Sequence, residues 1–270
     1  MISNFLEKLR SMCVDGYYIS IVLYLNYDQP LVDDELKAFK KLIQRRIRRE
    51  PVAYILGVKE FWSLDFEVNR EVLIPRPETE CLVETALDIL SRYASTESWR
   101  ILDLGTGCGA IIIALAAQEP RHTYFASDRS IPAARVARQN ARRNNCGEKI
   151  HFFNADWLAA LNRKSAAFNL IISNPPYIPS RVIAGLQPEI HSYEPIAALD
   201  GSDDGLKCYK EIIGAAHGYL EPGGALLLEI GHDQREVVRR LVEDSRHYRS
   251  FKCTKDYSGH DRVVSMHKRE

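Results

Sequence analysis

The sequence carries no surplus of either charge. Its 270 residues contain 36 lysines and arginines against 36 aspartates and glutamates, so net charge gives no reason to expect a polyanionic partner. Long apolar runs are missing as well. The longest, Ala110 to Ala117, has eight residues, where a bilayer-spanning helix needs about 20. The opening segment MISNFLEKLRSMCVDGYY alternates charge with apolar side chains and lacks the apolar block and cleavage site of a secretory signal; a cytoplasmic chain with no membrane association is expected. The cysteines (Cys13, Cys81, Cys108, Cys146, Cys208 and Cys253) include no C-x-x-C pair, and the eight histidines show no metal-ligand spacing. Reduced thiols and no metal site follow. There is no internal repeat or low-complexity segment. The composition that remains, 46% apolar and 27% charged, is that of an average globular protein, with length for one large domain or a large one and a small companion.

From Asn4 to about Leu56 apolar residues recur at helical spacing: Phe5, Leu9 and Met12, then Ile19, Val22 and Leu23, then Leu36, Phe39, Ile43 and Ile47. Asp33, Asp34 and Glu35 suit the start of the last of these helices, Arg45, Arg46, Arg48 and Arg49 suit its end, and Pro51 stops it. Residues 1–60 therefore read as a small helical bundle. Residues 61–80 read as a hairpin linker: Leu64, Phe66 and Val68 alternate with charged residues, and a turn at Asn69-Arg70 leads into Val72 and Ile74. Over 81–270 short β-branched runs and helical patterns take turns: RILDL, AIIIALAAQ, TYFASD, IPAARVARQNARRN, IHFFNAD, FNLIIS, a helix around Leu206 to Leu220, ALLLEI and REVVRRLVEDS. That alternation predicts an α/β fold with a doubly wound parallel sheet. RSFKCTKD and RVVSMHK, either side of Tyr257-Ser258-Gly259-His260, add an antiparallel hairpin at its edge.

The first strand of that sheet ends in Asp103-Leu104-Gly105-Thr106-Gly107-Cys108-Gly109, directly before a helix, where glycines let the backbone turn tightly and approach a ligand. Asp128, 19 residues beyond Gly109 and at the end of the next strand, stands where a carboxylate takes ribose hydroxyls. Spacing alone leaves NAD open, since Gly105-x-Gly107-x-x-Ala110 also satisfies the dinucleotide fingerprint. Charge favours another ligand: Asp103 would repel a pyrophosphate and attract the ammonium or sulfonium of S-adenosylmethionine (SAM). Asp156 and Trp157 follow the third strand, one suited to an adenine amino group and the other to its flat face. Asn174-Pro175-Pro176-Tyr177 follows the fourth. Two prolines restrict the backbone and hold Asn174 extended, so its side-chain carbonyl, the Pro175 C=O and the Tyr177 ring suit a planar, conjugated NH2 group.

On these residues the chain resembles the class I SAM-dependent methyltransferases, and within them the HemK/PrmC family, which methylates the side-chain nitrogen of a glutamine in class 1 peptide chain release factors. The resemblance runs from about Arg49 to Val264 through REPVAYILGVKEFWSLDF, LIPRPETE, DLGTGCGAI, NPPYI, EPIAALDGSDDGL, PGGALLLEIG with Gln234 shortly after, and SGHDRVV. It implies a seven-stranded Rossmann-like sheet and a helical partner-docking domain. It implies SAM, leaving as S-adenosylhomocysteine, over Asp103, Gly105, Thr106, Gly107, Cys108 and Gly109, with Asp128 at the ribose and Asp156 and Trp157 at adenine. Asn174, Pro175, Pro176 and Tyr177 would bind the glutamine amide, with Asn174, Pro175 and Tyr177 as the catalytic set and Asn174 also against the cofactor. Cys108 replaces the Thr or Ser of many relatives, and Thr79 and Glu80 fall in a block that covers the cofactor. The implied partner is a release factor carrying a Gly-Gly-Gln loop, with no direct nucleic-acid contact and a monomeric enzyme.

Some signals stay open in sequence. Six of residues 40–49 are Lys or Arg, fitting either an acidic partner or a solvated helix face. Glu229 faces a substrate pocket or simply ends a strand, and Asp203-Asp204-Gly205 marks a turn. An adenine N6-methyltransferase acting on nucleic acid is the competing function, because adenine offers Asn174 the same kind of amino group; zero net charge speaks against it.

Overall fold

The computed structural model describes Pro30 and residues 32–93, 97–163 and 167–269; the helices expected before residue 30 lie outside them. Helix α1 (Asp33–Ile47) has its three acidic residues in the first turn and Arg45 and Arg46 in the last, matching the macrodipole at both ends. Pro51 caps a short α2 (Val52–Leu56). Arg45 turns back to hold Glu50 through Nε and Nη2 at 2.8 and 2.7 Å, and Arg46 and Arg49 both reach Glu189 at 2.8 Å. Three of the six cations of the basic run are thus paired, two of them with Glu189 of the main domain.

The hairpin differs from its expected place. It pairs β1 (Val58–Phe61) with β2 (Leu64–Glu67) across Trp62 and Ser63, both at positive φ (55° and 56°), as a two-residue hairpin turn requires. The alternation of Leu64 and Phe66 marks β2 correctly, but its partner strand precedes it, so the boundary expected at 60/61 cuts through β1. Asn69 instead accepts from the Glu71 amide at 2.9 Å, a local side-chain turn. Val72 and Ile74 are buried without joining a strand.

After a 3₁₀ turn (Pro77–Thr79) and α3 (Glu80–Tyr93) come β3 (Arg100–Leu104), α4 (Ala110–Gln118), β4 (Thr123–Asp128), α5 (Ile131–Arg143), β5 (Ile150–Asn154) and β6 (Phe168–Ser173). Short helices α6 (Ser180–Ile183) and α7 (Pro188–His191) lead through a 3₁₀ turn to α8 (Lys207–Ala216), β7 (Leu220–Glu229), α9 (Arg235–Ser245), β8 (Tyr248–Lys255) and β9 (Asp261–Lys268). The seven strands lie in the order β5-β4-β3-β6-β7-β9-β8. The first five are parallel, and β9 runs antiparallel to both β7 and β8, so the predicted edge hairpin is present.

Consecutive strand residues go to opposite faces. Ile101, Leu170 and Leu227 pack with Leu82, Ile112 and Val136 of α3, α4 and α5, while Leu102, Ile171 and Leu226 pack with Tyr209, Ile212 and Val238 of α8 and α9. A sheet covered on both sides has continuously apolar strands, and α4, buried from Ala110 to Ala116, is correspondingly apolar all round. The chain order reverses between β3 and β6, which are neighbours. Ligands of open α/β sheets bind at the carboxyl ends of the strands at such a switch point, and here those ends are Asp103-Leu104 and Ser173-Asn174.

Candidate active site

The glycine loop folds over the end of β3. Gly105 has φ +70°, and a Cβ there would lie 3.3 Å from the Trp157 ring, so both backbone freedom and the absence of a side chain let the indole lie on the loop. The Gly107 amide donates to Asp128 Oδ2 at 2.9 Å and the Ser130 amide to Oδ1 at 2.8 Å. These two bonds aim the Asp128 carboxylate and leave further lone pairs for a diol; burial raises its pKa against them. Asp103 lies beneath, fully buried. The Thr106 hydroxyl donates to its Oδ2 at 2.6 Å, Oδ1 has no hydrogen-bond partner among the described residues, and burial pushes the carboxyl up to about 7. The Cys108 thiol is buried and pushed up to about 12, unsuited to a nucleophile.

A cavity of about 230 Å³ opens on this loop, lined by Gly105, Gly107, Asp128, Asp156, Trp157 and Asn174 among others. All six are among the candidate residues read from sequence. Asp103, Thr106, Cys108 and Gly109 stand outside the lining: Thr106 binds Asp103, and Gly109 caps α4 at φ 86°. Leu73, Pro195, Ala197, Ala198, Lys207 and Cys208 also line it. The residues fit SAM: an indole over a glycine loop, a carboxylate held by two backbone amides with lone pairs to spare for a diol, and, beneath the loop, a buried carboxylate with one oxygen unpaired among the described residues.

The Asn174–Tyr177 segment leaves β6 with Ser173 Oγ donating to the Leu104 carbonyl at 2.7 Å. Asn174 Nδ2 donates to Thr79 Oγ1 at 3.2 Å, an orientation assigned from that contact, which turns Oδ1 away from Thr79. Tyr177 is held at both ends. Gln234 Nε2 donates to its backbone carbonyl at 3.1 Å, and its hydroxyl donates to Glu229 Oε1 at 3.3 Å. Gly205 packs against the same carbonyl; a Cβ there would come to 2.5 Å from it, at φ +73°. The Asp203-Asp204-Gly205 turn is therefore a close backbone contact with the site.

Asn174 to Ile178 also line a second cavity of about 120 Å³, with Leu73, Arg76, Leu186, Ile190 and Leu199. Arg76 is paired with the buried Glu194 at 2.5 Å, stitching the chain before α3 to the segment after α7. Asn174 and Pro176 line both cavities. A third cavity, about 370 Å³, lies at the amino ends of the strands around Trp99, Asn169 and Gly224 and contains none of the candidate site residues named from sequence.

Two protein families match the chain: the methyltransferase small domain over residues 82–184 and the PrmC N-terminal domain over residues 20–57. The release factor glutamine methyltransferase of Geobacter sulfurreducens is 43% identical over 242 residues, covering 90% of this chain and 82% of that protein. The chain belongs to the release factor glutamine methyltransferase family. The Moorella thermoacetica member is 41% identical over 97% of this chain and 92% of its own. A methyltransferase from Pyrococcus furiosus, 19% identical, shares the fold with a TM-score of 0.56 over 84% of this chain and 99% of its own.

Within this family member, several contacts of the site lay beyond sequence reasoning, although the resemblance singled out the residues that make them. Gln234 meets Tyr177 across 57 positions and Thr79 meets Asn174 across 95; nothing local announces either. Glu80, expected near the cofactor, accepts instead from the Trp62 amide at 2.9 Å and so braces the β1–β2 turn. The five described cysteines are free thiols. Among the described residues no cluster has the make-up of a metal site, and no helix is long and apolar enough to cross a membrane.

Proposed function

We propose that this chain transfers a methyl group from SAM to the side-chain amide nitrogen, N5, of the glutamine in the Gly-Gly-Gln loop of class 1 peptide chain release factors. The observation that carries the reading is the shared wall: Asn174 and Pro176, with Leu73 and Ala198, belong at once to the cavity of the glycine loop and to the smaller cavity beside Tyr177. A donor in one and an amide in the other would meet at Asn174. The names and extent of the relatives favour a release factor as the acceptor's bearer.

When bound, SAM supplies an electrophilic methyl on a sulfonium and leaves as S-adenosylhomocysteine. Asp128 holds the ribose hydroxyls, Trp157 and Asp156 the adenine, and Asp103 supplies negative charge behind the loop. An amide nitrogen is a weak nucleophile because its lone pair is delocalised. Asn174 Oδ1 and the Pro175 carbonyl each accept one of its hydrogens, which favours a pyramidal nitrogen and aims its lone pair. Tyr177 packs on the amide face. Bound there, SAM would supply its methyl to that nitrogen with the S–C bonding pair kept by sulfur, and the nitrogen so held would lose its proton to water. The residues before Val58 act as the docking domain, the linker through Glu80 joins it to the catalytic domain, and the enzyme works as a monomer without direct nucleic-acid contact. The ion pairs of Arg45, Arg46 and Arg49 support that last point.

The test is transfer of labelled methyl from SAM to a purified release factor, to the same factor with its Gly-Gly-Gln glutamine replaced, and to unmethylated DNA. Label on the intact factor alone is expected. Label on DNA and none on the factor would overturn the reading. Asn174→Ala should abolish transfer while SAM still binds; full transfer by that variant would overturn the amide-holding role.

A further inference from the structure

Beside the acceptor cavity sits a carboxylate that the reaction as described does not use. Glu229, the last residue of β7, is 1% exposed, accepts from the Tyr177 hydroxyl through Oε1, and has no closed hydrogen bond at Oε2 among the described residues. We propose that Glu229 is a positioning residue that fixes both working side chains of the acceptor site through two hydroxyls, that of Tyr177 directly and that of Thr79 for Asn174. The proposal rests on the glutamine methylation reading.

The argument is one of donor and acceptor polarity. An ionised carboxylate only accepts. Thr79 accepts from Asn174 Nδ2 at 3.2 Å, so its own hydroxyl hydrogen has to go elsewhere. Thr79 approaches Glu229 closely enough to be the foremost of the groups that favour the carboxylate form, and Oε2 has capacity left to receive that hydrogen. With its hydrogen directed there, Thr79 offers Asn174 only a lone pair. Asn174 must then turn its NH2 toward Thr79 and its carbonyl oxygen toward the acceptor. Were the chain of bonds reversed, Asn174 would set an NH2 against the NH2 of the substrate, two donors facing one another.

The same network gives the Ser258–Val264 motif a task. Burial pushes Glu229 up to about 7, and the groups facing it are Thr79, Arg262, Tyr177 and, with like charge, Glu78. Arg262 is the cation among them. It is itself held by Asp256 Oδ2 through Nε and Nη2, both at 3.0 Å, and its Nη1 donates to the Ile230 carbonyl at 3.2 Å. Asp256 Oδ1 in turn accepts from the Ser258 and His260 amides. The edge hairpin thus presents a fixed cation that favours the carboxylate form of Glu229 against its burial.

The experiment compares wild type, Thr79→Val, Thr79→Ser, Glu229→Gln and the Thr79→Val/Glu229→Gln double variant. Labelled SAM and purified release factor give kcat and KM, and calorimetry gives SAM affinity. Thr79→Val and Glu229→Gln should each lower kcat by about 30- to 100-fold, the range set by losing orientation of one working group, with SAM affinity within about threefold of wild type. The double variant should be no worse than the poorer single one, since both cut one chain of bonds, and Thr79→Ser should regain most of the activity lost in Thr79→Val. Should Glu229→Gln fail to fold, the near-isosteric Thr79→Val carries the test. Wild-type kcat in Thr79→Val, additive losses in the double variant, or a loss confined to SAM affinity would overturn the relay. An inactive wild type on release factor would overturn the function instead; if DNA were the acceptor, the same variants on DNA would decide the relay, because adenine presents the same amino group to Asn174.

Discussion

Two strands of the sheet end in or beside a fully buried carboxylate, and the fold treats the two differently. Asp103 lies in β3 and Glu229 closes β7, on either side of β6. Each has one oxygen taken by a hydroxyl, from Thr106 at 2.6 Å and from Tyr177 at 3.3 Å, each has its other oxygen without a closed hydrogen bond among the described residues, and burial pushes each up to about 7. The difference is the neighbouring charge. Among the described residues the charge that bears on Asp103 is Asp128, of its own sign, whereas Glu229 faces Arg262 as well as the like-charged Glu78. A buried charge without a counter-ion is costly, and its retention makes sense where a ligand brings the missing cation. A buried charge with its counter-ion built in organises the protein itself.

The largest effect that separates them is on cofactor affinity. Asp103→Asn should weaken SAM binding about 100-fold, in line with the ~2–5 kcal/mol lost when one partner of a buried charged contact is removed, while Glu229→Gln leaves it within about threefold; calorimetry that found equal losses would erase the distinction. Next comes Arg262→Met. Loss of its cation should raise Glu229 further and lower kcat at pH 7 by about tenfold, with recovery at higher pH as the carboxylate ionises; a loss that pH does not reverse would count against a charge role for the hairpin. Gly205→Ala should lower kcat a further step less, about severalfold, and cost roughly 1–3 kcal/mol in thermal stability, because its Cβ would press on the Tyr177 carbonyl at an unfavourable φ.

The smallest signal is in the pH dependence of stability. With folded-state values raised to about 7, both carboxyls hold protons that the unfolded chain has released, so stability contributed by these groups is present below the ordinary carboxyl range and is lost as pH rises through about 7. Thermal melts from pH 5 to pH 8 should show this fall, and Asp103→Asn and Glu229→Gln should each flatten part of it. A slope unchanged in both variants would place its origin elsewhere.

What the sequence made legible follows the same division. The cofactor side is written locally: Gly105, Gly107 and Asp128 sit at strand ends whose apolar runs are plain, and Trp157 follows the next strand. The Asn174–Tyr177 segment announces itself through two prolines. The supports are not local. Thr79, Gln234 and Arg262 reach the site from the linker, the loop after β7 and the edge hairpin, and only the folded sheet order brings them together. Glu229 was ambiguous because a strand-end glutamate reads the same whether it faces solvent or Tyr177. The β1–β2 turn was misplaced because Trp62 and Ser63 carry the positive φ values that glycine or asparagine usually signal.

The wall shared by the two cavities also bears on inhibition. Leu73, Asn174, Pro176 and Ala198 bound both spaces, so occupants of the two would share a wall. An adenosine unit joined through a linker of one or two atoms to a glutamine-like amide would fill both at once, and tethering makes the second engagement intramolecular. Selectivity for such a compound would come from the smaller cavity, where Arg76, Leu186 and Ile190 set the fit, because the glycine-loop cavity serves a cofactor that many other enzymes also bind.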